Sequence, residues 1–196
     1  EFDYSFFYDQ RDQSFRPTDG FYSKFNQTLP LLSNDYSISN IYDFKTYHQL
    51  SENTISNISF YASAINSLQG NEVRLSDRLY LSPRRLRGFE PGKIGPKDKQ
   101  DFIGGNYAAV SSFSTTLPTL LPELETIDFN IFFDAGNVWG VDYDSSLDNS
   151  KIKSSTGLSI DWLTPIGPLN FVIAQPITKS TSDVEQRFRF DIGTSF

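Results

Sequence analysis

Along most of its 196 residues the chain places an aromatic or aliphatic side chain at every second position and a polar one between. Successive side chains of a strand point to opposite faces, so this period of two demands β-structure with one apolar and one polar surface. Phe2, Tyr4, Phe6 and Tyr8 share a face in the first tract. Phe21, Ser23, Phe25 and Leu29 oppose Tyr22, Lys24, Asn26 and Thr28 in the second. Tyr36, Ile38, Tyr42 and Phe44 alternate with Asp43 and Lys45, and a less regular strand is expected over 54–66. Tyr107, Ala109, Ser111, Phe113 and Leu117 form the next stripe. Ile127, Phe129, Ile131 and Phe133 then stand against Asp128, Asn130 and Asp134. Leu158, Ile160 and Trp162 follow, then Leu169, Phe171 and Ile173, and a last tract runs from Arg187 to Phe196. No stretch reads as helical. The hairpin and alternation rules give about nine antiparallel strands.

Composition narrows the setting of that sheet. Aromatic residues make up 15% of the chain, yet its mean hydropathy is −0.38. The apolar groups therefore stand singly rather than in runs, and none approaches the ~20 residues of a membrane helix. Residues 1–30 carry no apolar core of a signal peptide. Asp and Glu number 24 against 17 Lys and Arg, which leaves no diffuse basic footprint for nucleic acid. With no cysteine there are no disulfides, thiolate metal sites or cysteine nucleophiles. The single histidine, His48, gives histidine metal clusters and serine–histidine triads almost no material. The expectation is a protein without catalytic residues, metal or cofactor.

The connections alternate in length. Turns at 12–20, 49–53, 118–125 and 164–168 are short or carry proline, whereas 67–104 and 140–151 are long. Short turns at one rim and long loops at the other describe a bacterial outer-membrane barrel. A soluble sandwich also alternates. It has no reason to set Arg187, Arg189 and Asp191 opposite an unbroken aromatic stripe. The expected fold is an all-β, antiparallel transmembrane β-barrel occupying residues 1–196 as one domain with a long inserted loop. Lipid leaves no backbone group unpaired, so such a sheet closes, and bacterial barrels close with an even strand number. About nine strands then read as the C-terminal part of a larger barrel. A count one lower or higher leaves a small stand-alone barrel open.

Three arginines cluster in Pro83-Arg84-Arg85-Leu86-Arg87-Gly88-Phe89, inside the longest loop of an acidic chain. An unpaired guanidinium out of water is strongly unfavourable, so the cluster needs partners. Strand parity supplies one: if Phe129, Ile131 and Phe133 face lipid, Asp134 faces the lumen. Arg84 and Arg85 read as a solvated rim or a contact with anionic lipopolysaccharide. Asp142, Asp144 and Asp148 lack the glycine and glutamate of a calcium loop and read as solvated. His48, Trp139 and Trp162 fall near strand ends, where interfacial residues belong.

Leu86-Arg87-Gly88-Phe89 resembles the (V/I/L)RG(F/Y) motif of the BamA family, the bacterial surface antigen barrels that assemble outer-membrane proteins. Further matches follow in family order: Phe15-Arg16-Pro17-Thr18-Asp19-Gly20, Ile94-Gly95-Pro96 and Gly104-Gly105-Asn106. Phe132-Phe133-Asp134-Ala135-Gly136 with Val138-Trp139, Pro165-Ile166-Gly167-Pro168-Leu169 and the ending Phe188-x-Phe190-x-Ile192-Gly193-x-x-Phe196 complete the set. The resemblance spans nearly the whole chain.

It implies a loop folded back into the barrel and latched by Arg87 to Asp134, with Gly88 allowing close approach, Phe89 packed against Phe132, and Gly136 in the same strand motif. It also implies a lateral seam at the last strand, through Phe188, Phe190, Ile192, Gly193 and Phe196. The family usually carries a second inward acid where this chain has Ser114, so Arg87 is left with one carboxylate or with a replacement such as Asp128. The implied function is the folding and insertion of other barrel proteins in the outer membrane of a Gram-negative-type bacterium, without covalent chemistry. A secretion pore of the same superfamily is the alternative. Implied partners are outer-membrane lipids and lipopolysaccharide, unfolded outer-membrane proteins, and accessory lipoproteins reached through regions outside this chain.

Overall fold

The computed structural model describes residues 2–30, 37–68, 70, 72–117, 126–165 and 167–193. Its strands are β1 (Phe2–Asp9), β2 (Gly20–Leu29), β3 (Ser37–Ser51), β4 (Thr54–Ser67), β5 (Lys97–Asp98) and β6 (Asp101–Phe102). They continue with β7 (Tyr107–Thr116), β8 (Ile127–Trp139), β9 (Lys153–Thr164), β10 (Gly167–Thr178) and β11 (Phe188–Ile192). The short β5 and β6 pair only with each other. The other nine form one antiparallel sheet in the order β1-β2-β3-β4-β7-β8-β9-β10-β11. Helix is confined, among the described residues, to 3₁₀ turns at Leu75–Asp77 and Ser145–Leu147.

Register carries the apolar stripe from strand to strand. Phe6 lies opposite Phe25, and Phe25 opposite Tyr42. Ile58 lies opposite Phe113, and Phe113 opposite Phe133. Leu158 meets Ile173, and Phe171 meets Phe190. These side chains stand on the outer face, where Phe6 and Ile173 are 68% and 60% exposed. A band of exposed aromatic and aliphatic groups across adjacent strands is the lipid-facing surface of a barrel wall. The opposite parity, with Asp43, Ser112, Asp134 and Asp161, lines the concave side.

The rims differ as expected. β1–β2, β3–β4 and β9–β10 join at one rim through residues 10–19, 52–53 and 165–166. At the other rim the connections are 68–106, 140–152 and 179–187. Tyr36, the 118–125 turn, Ile166 and Phe196 lie outside the described residues.

Several strands run further toward the long-loop rim than the alternation indicated. β8 continues past Asp134 to Trp139 and β9 begins at Lys153 rather than Leu158. Apart from Val138, Trp139 and Lys153 the added residues are Ala, Gly, Asn, Ser and Thr, which pair in register but carry no apolar-polar alternation to read.

The 68–106 connection folds inward and becomes core. Its Leu81, Leu86, Phe89 and Ile94 pack against Ala108, Val110 and Val138 of the wall, flanked by Tyr61 and Leu79. Leu86 and Phe89 are 1% and 2% exposed. Burying each such side chain contributes roughly 1.5–3 kcal/mol, which holds a loop inside a lumen that would otherwise be wet. Reciprocal backbone bonds between Leu79 and Gly105, at 2.8 and 3.1 Å, close the neck of the insertion.

Candidate functional site

Arg87 reaches β8 from the tip of the inserted loop. Its Nε donates to Asp134 Oδ2 and a terminal nitrogen to Asp134 Oδ1, both at 2.7 Å. Its backbone N–H adds a bond to Oδ2 at 3.0 Å. Ser112 on β7, directly opposite Asp134, accepts from the guanidinium at 3.0 Å and donates to Asp134 Oδ1 at 2.5 Å. From β9 the Ser155 hydroxyl donates to the Arg87 carbonyl at 2.5 Å. The guanidinium carbon lies 3.6 Å from the centroid of the Phe132 ring. Asp134 is fully buried. A bidentate pair with every lone pair served is the arrangement in which a buried charge is tolerated.

Glycine makes the fit close. Gly88 has φ +92°, and a Cβ there would sit 3.2 Å from the Ala174 Cβ and 3.3 Å from the Ser155 Cβ. Gly136 stands opposite Val110, where a Cβ would press on the Ala109 carbonyl at 2.6 Å. Gly157 pairs with Phe132 across the β8–β9 ladder. A Cβ at Gly157 would approach the Phe132 ring to 2.9 Å and the Ile173 carbonyl to 2.1 Å. The bare glycine thus leaves the space in which Phe132 lies flat beneath Arg87.

Some expected placements need correction. Phe89 does not pack on Phe132: it joins Leu81, Leu86 and Ile94, while Phe132 clusters with Val172 and Ala174. The loop turns at Gly88, which carries Phe89 further toward the long-loop rim of the same β7–β8 wall, beside Val110 and Val138. Asp128 is not a second partner for Arg87; it pairs with Arg16 of the β1–β2 turn. Ser114 accepts from the Asn57 amide at 2.7 Å.

Arg85 is not a rim residue. It bonds Asp43 at 2.6 Å and stacks on Tyr61, 3.6 Å from its centroid. Arg84 approaches Asp191 on the inner face of β11, at 3.9 Å. Asp142 is an exposed loop acid, as its sequence setting suggests, but it is engaged. It holds Arg78 at 2.5 Å, the Val73 N–H at 2.7 Å and the Asn106 amide at 3.0 Å, tying the two long loops together. Burial alone would raise its carboxyl, but those hydrogen bonds and the Arg78 charge outweigh it and hold the group below the usual carboxylate range. Among the described residues no group of acids and histidine is placed to hold a metal.

Sequence reasoning missed Ser112, Ser155 and Gly157. Serine on a strand has no distinctive signal until register places it beside a charge, and a strand glycine announces only a close approach.

The proposed seam strand contrasts with this wall. β11 pairs with β10 over five residues, Leu169–Ile173 against Phe188–Ile192. Phe188, Phe190 and Ile192 face outward and are exposed, and the Phe171–Phe190 rings lie 4.7 Å apart. Gly193 follows with φ +71°, bonded through its N–H to the Pro168 carbonyl at 2.9 Å. Phe196 lies outside the described residues. β11 is an edge of the sheet, with a row of backbone groups turned away from β10.

A plugged, lipid-facing wall with an arginine loop latched to a lumenal aspartate is matched end to end by one family model, the Omp85 superfamily domain, over residues 1–196. The chain belongs to the Omp85 superfamily. It is 26% identical to the outer membrane protein assembly factor BamA of Neorickettsia risticii over 200 residues, 98% of this chain and 27% of the relative. It is 30% identical to BamA of Neisseria meningitidis over 141 residues, 57% of this chain and 17% of the relative. A SAM50-like protein of Schizosaccharomyces pombe is 31% identical and covers 98% of this chain and 44% of the relative. The crystal structure of BamA from Haemophilus ducreyi lacking POTRA domains 1–3 superposes with a TM-score of 0.88 at 27% identity, over 100% of this chain and 42% of that one. The resemblance to the BamA family is thereby borne out, and the chain spans about a quarter of the length of its bacterial relatives.

In this Omp85 wall the plug fills only the long-loop half of the concave side. Toward the short turns lies a cavity of about 510 Å³ lined by both charge signs, among them Arg16, Lys45, Asp128, Asp161 and Asp191. Asp161 is held there by the amides of Asn130 and Asn170, at 2.8 and 2.5 Å.

Proposed function

We propose that the chain is the C-terminal barrel portion of an outer-membrane assembly factor that folds and inserts other barrel proteins. The observation that carries this reading is a barrel wall superposing on BamA with a TM-score of 0.88, in which an arginine loop is latched into the lumen. An unpaired strand edge is a template on which an incoming strand adds by main-chain hydrogen bonds. Arg87 and Asp134 anchor the plug, and Phe188, Phe190, Ile192 and Gly193 belong to the edge that receives the strand. The work is non-covalent and uses neither metal nor nucleotide. Its partners are unfolded outer-membrane proteins, the lipids and lipopolysaccharide around the wall, and accessory lipoproteins bound by other parts of the full-length protein. The cell is a Gram-negative-type bacterium. The likeness to BamA assembly factors of three bacteria favours this reading over a secretion pore.

The test is reconstitution of the full-length protein into liposomes and addition of a urea-unfolded small barrel protein. Faster appearance of the folded, heat-modifiable substrate than with empty liposomes is expected. Equal rates, together with export of a secreted passenger, would turn the assignment to the pore.

A further inference from the structure

The latch loop does more than plug the lumen. Gln186 donates its N–H to the Gly88 carbonyl at 3.0 Å, Glu90 donates to the Val184 carbonyl at 2.9 Å, and Val184 donates to Lys93 at 3.1 Å. Phe89 and Glu185 stand opposite each other as an antiparallel bridge. On the other flank, Ala174 donates to the Arg187 carbonyl at 2.8 Å. The N–H and C=O of one strand residue point the same way, and successive residues alternate. Arg187 therefore turns toward β10, while Val184 and Gln186 turn away from it, onto the edge that Phe188, Phe190 and Ile192 continue. Residues 88–93 lie on the upper end of that edge as an added strand.

Three further features keep them there. Phe89 is buried in the plug core, so the capping segment cannot drift. Glu185 is braced by Lys179 and by Arg187, the latter at 2.8 Å, which fixes the 179–187 turn. Pro176 has no N–H to add a rung to β10 beyond Ala174, so residues 184–186 are held by the loop rather than by β10.

We propose that the latch loop is an intramolecular edge cap: it occupies the seam edge at Val184 and Gln186 and confines incoming strands to the edge from Phe188 onward. Release of the loop lengthens the accepting edge toward the long-loop rim. The proposal rests on the strand-accepting reading above and adds a stop that sets where pairing begins.

The test uses the full-length protein in liposomes and the Glu90→Pro variant, which removes the donor to Val184 without touching Arg87 or Asp134. Amide exchange at Val184 and Gln186 is slow in the parent and about tenfold faster in Glu90→Pro, with Phe171 and Ala174 unchanged. Single cysteines, Val184→Cys, Gln186→Cys, Phe188→Cys and Phe190→Cys, are then probed with a cysteine-tagged synthetic peptide of residues 187–193. Disulfides form at 188 and 190 in the parent and extend to 184 and 186 in Glu90→Pro. Fast exchange at Val184 and Gln186 in the parent, or equal linking at all four positions, would overturn the cap. Linking at none of the four, with the exchange difference intact, would overturn the strand-accepting reading and leave the cap standing.

Discussion

The wall beneath Arg87 and the seam at β11 are built from the same alternating sequence and behave in opposite ways. β8 is paired along both sides, its Asp134 is fully buried, Ser112 of β7 joins the carboxylate–guanidinium pair, and Ser155 of β9 holds the Arg87 carbonyl. β11 pairs with β10 over five residues and carries exposed outer side chains. A barrel wall is strong where the lumen is filled and both ladders run full length. It is weaker where the ladder is short, because five paired residues hold a strand with fewer main-chain bonds than ten or more.

Four experiments break or sharpen that contrast. The largest effect belongs to the latch. Arg87→Ala strands a buried carboxylate and costs about 3–5 kcal/mol, read as loss of heat-modifiability or a lower urea midpoint of the full-length barrel. Arg87→Lys recovers only part, since an ammonium lacks the planar fork. Wild-type stability in Arg87→Ala would show that the two regions do not differ as described.

Next comes Gly157→Ala, which drives a Cβ into the Ile173 carbonyl and the Phe132 ring. It costs roughly 1–3 kcal/mol as an overpacking change, and urea unfolding measures it. A neutral outcome would mean that the Phe132 platform tolerates displacement.

At the seam, Phe190→Ala removes the ring pair with Phe171, about 0.5–1.5 kcal/mol beyond its area term. Exchange at β11 amides rises while β8 stays protected. Equal acceleration in both strands would erase the distinction between wall and seam.

The smallest effect is at the loop neck. The Asp142 carboxyl titrates lower when folded than its ordinary value of 3.8. Its contact is therefore fully present above that value and is lost as pH falls through the lowered one. Exchange of the Val73 amide should quicken only in that acid window, and Asp142→Asn should abolish the dependence. A change beginning near neutral pH would assign it to another group.

Much of this was legible before any coordinates. The period of two gave the outer face, the rims and the nine-strand sheet, because lipid and lumen force adjacent side chains apart. Parity alone turned Asp134 inward. What parity cannot supply is shear: Asp43, Asp128 and Asp134 all face the lumen, and only register and loop path decide which arginine each meets. Hence Arg85 and Arg16 found partners that went unforeseen, and Phe132 received the guanidinium rather than Phe89. The strand ends past Asp134 and before Leu158 were hidden because small or polar residues such as Ala135, Gly136, Asn137, Ser154 and Gly157 occupy both faces and leave no stripe. The capping contact at Val184 and Gln186 is main-chain pairing, on which side-chain pattern is silent.

The half-filled lumen has a mechanical meaning. Packed interiors resist compression, whereas a polar cavity of about 510 Å³ filled with water rearranges at little expense. The molecule is a stiff collar around the plug standing on a compliant foot near the short turns. Any change in the girth of the barrel would be taken up first at the foot, where the Arg16–Asp128 pair joins the β1–β2 turn to β8.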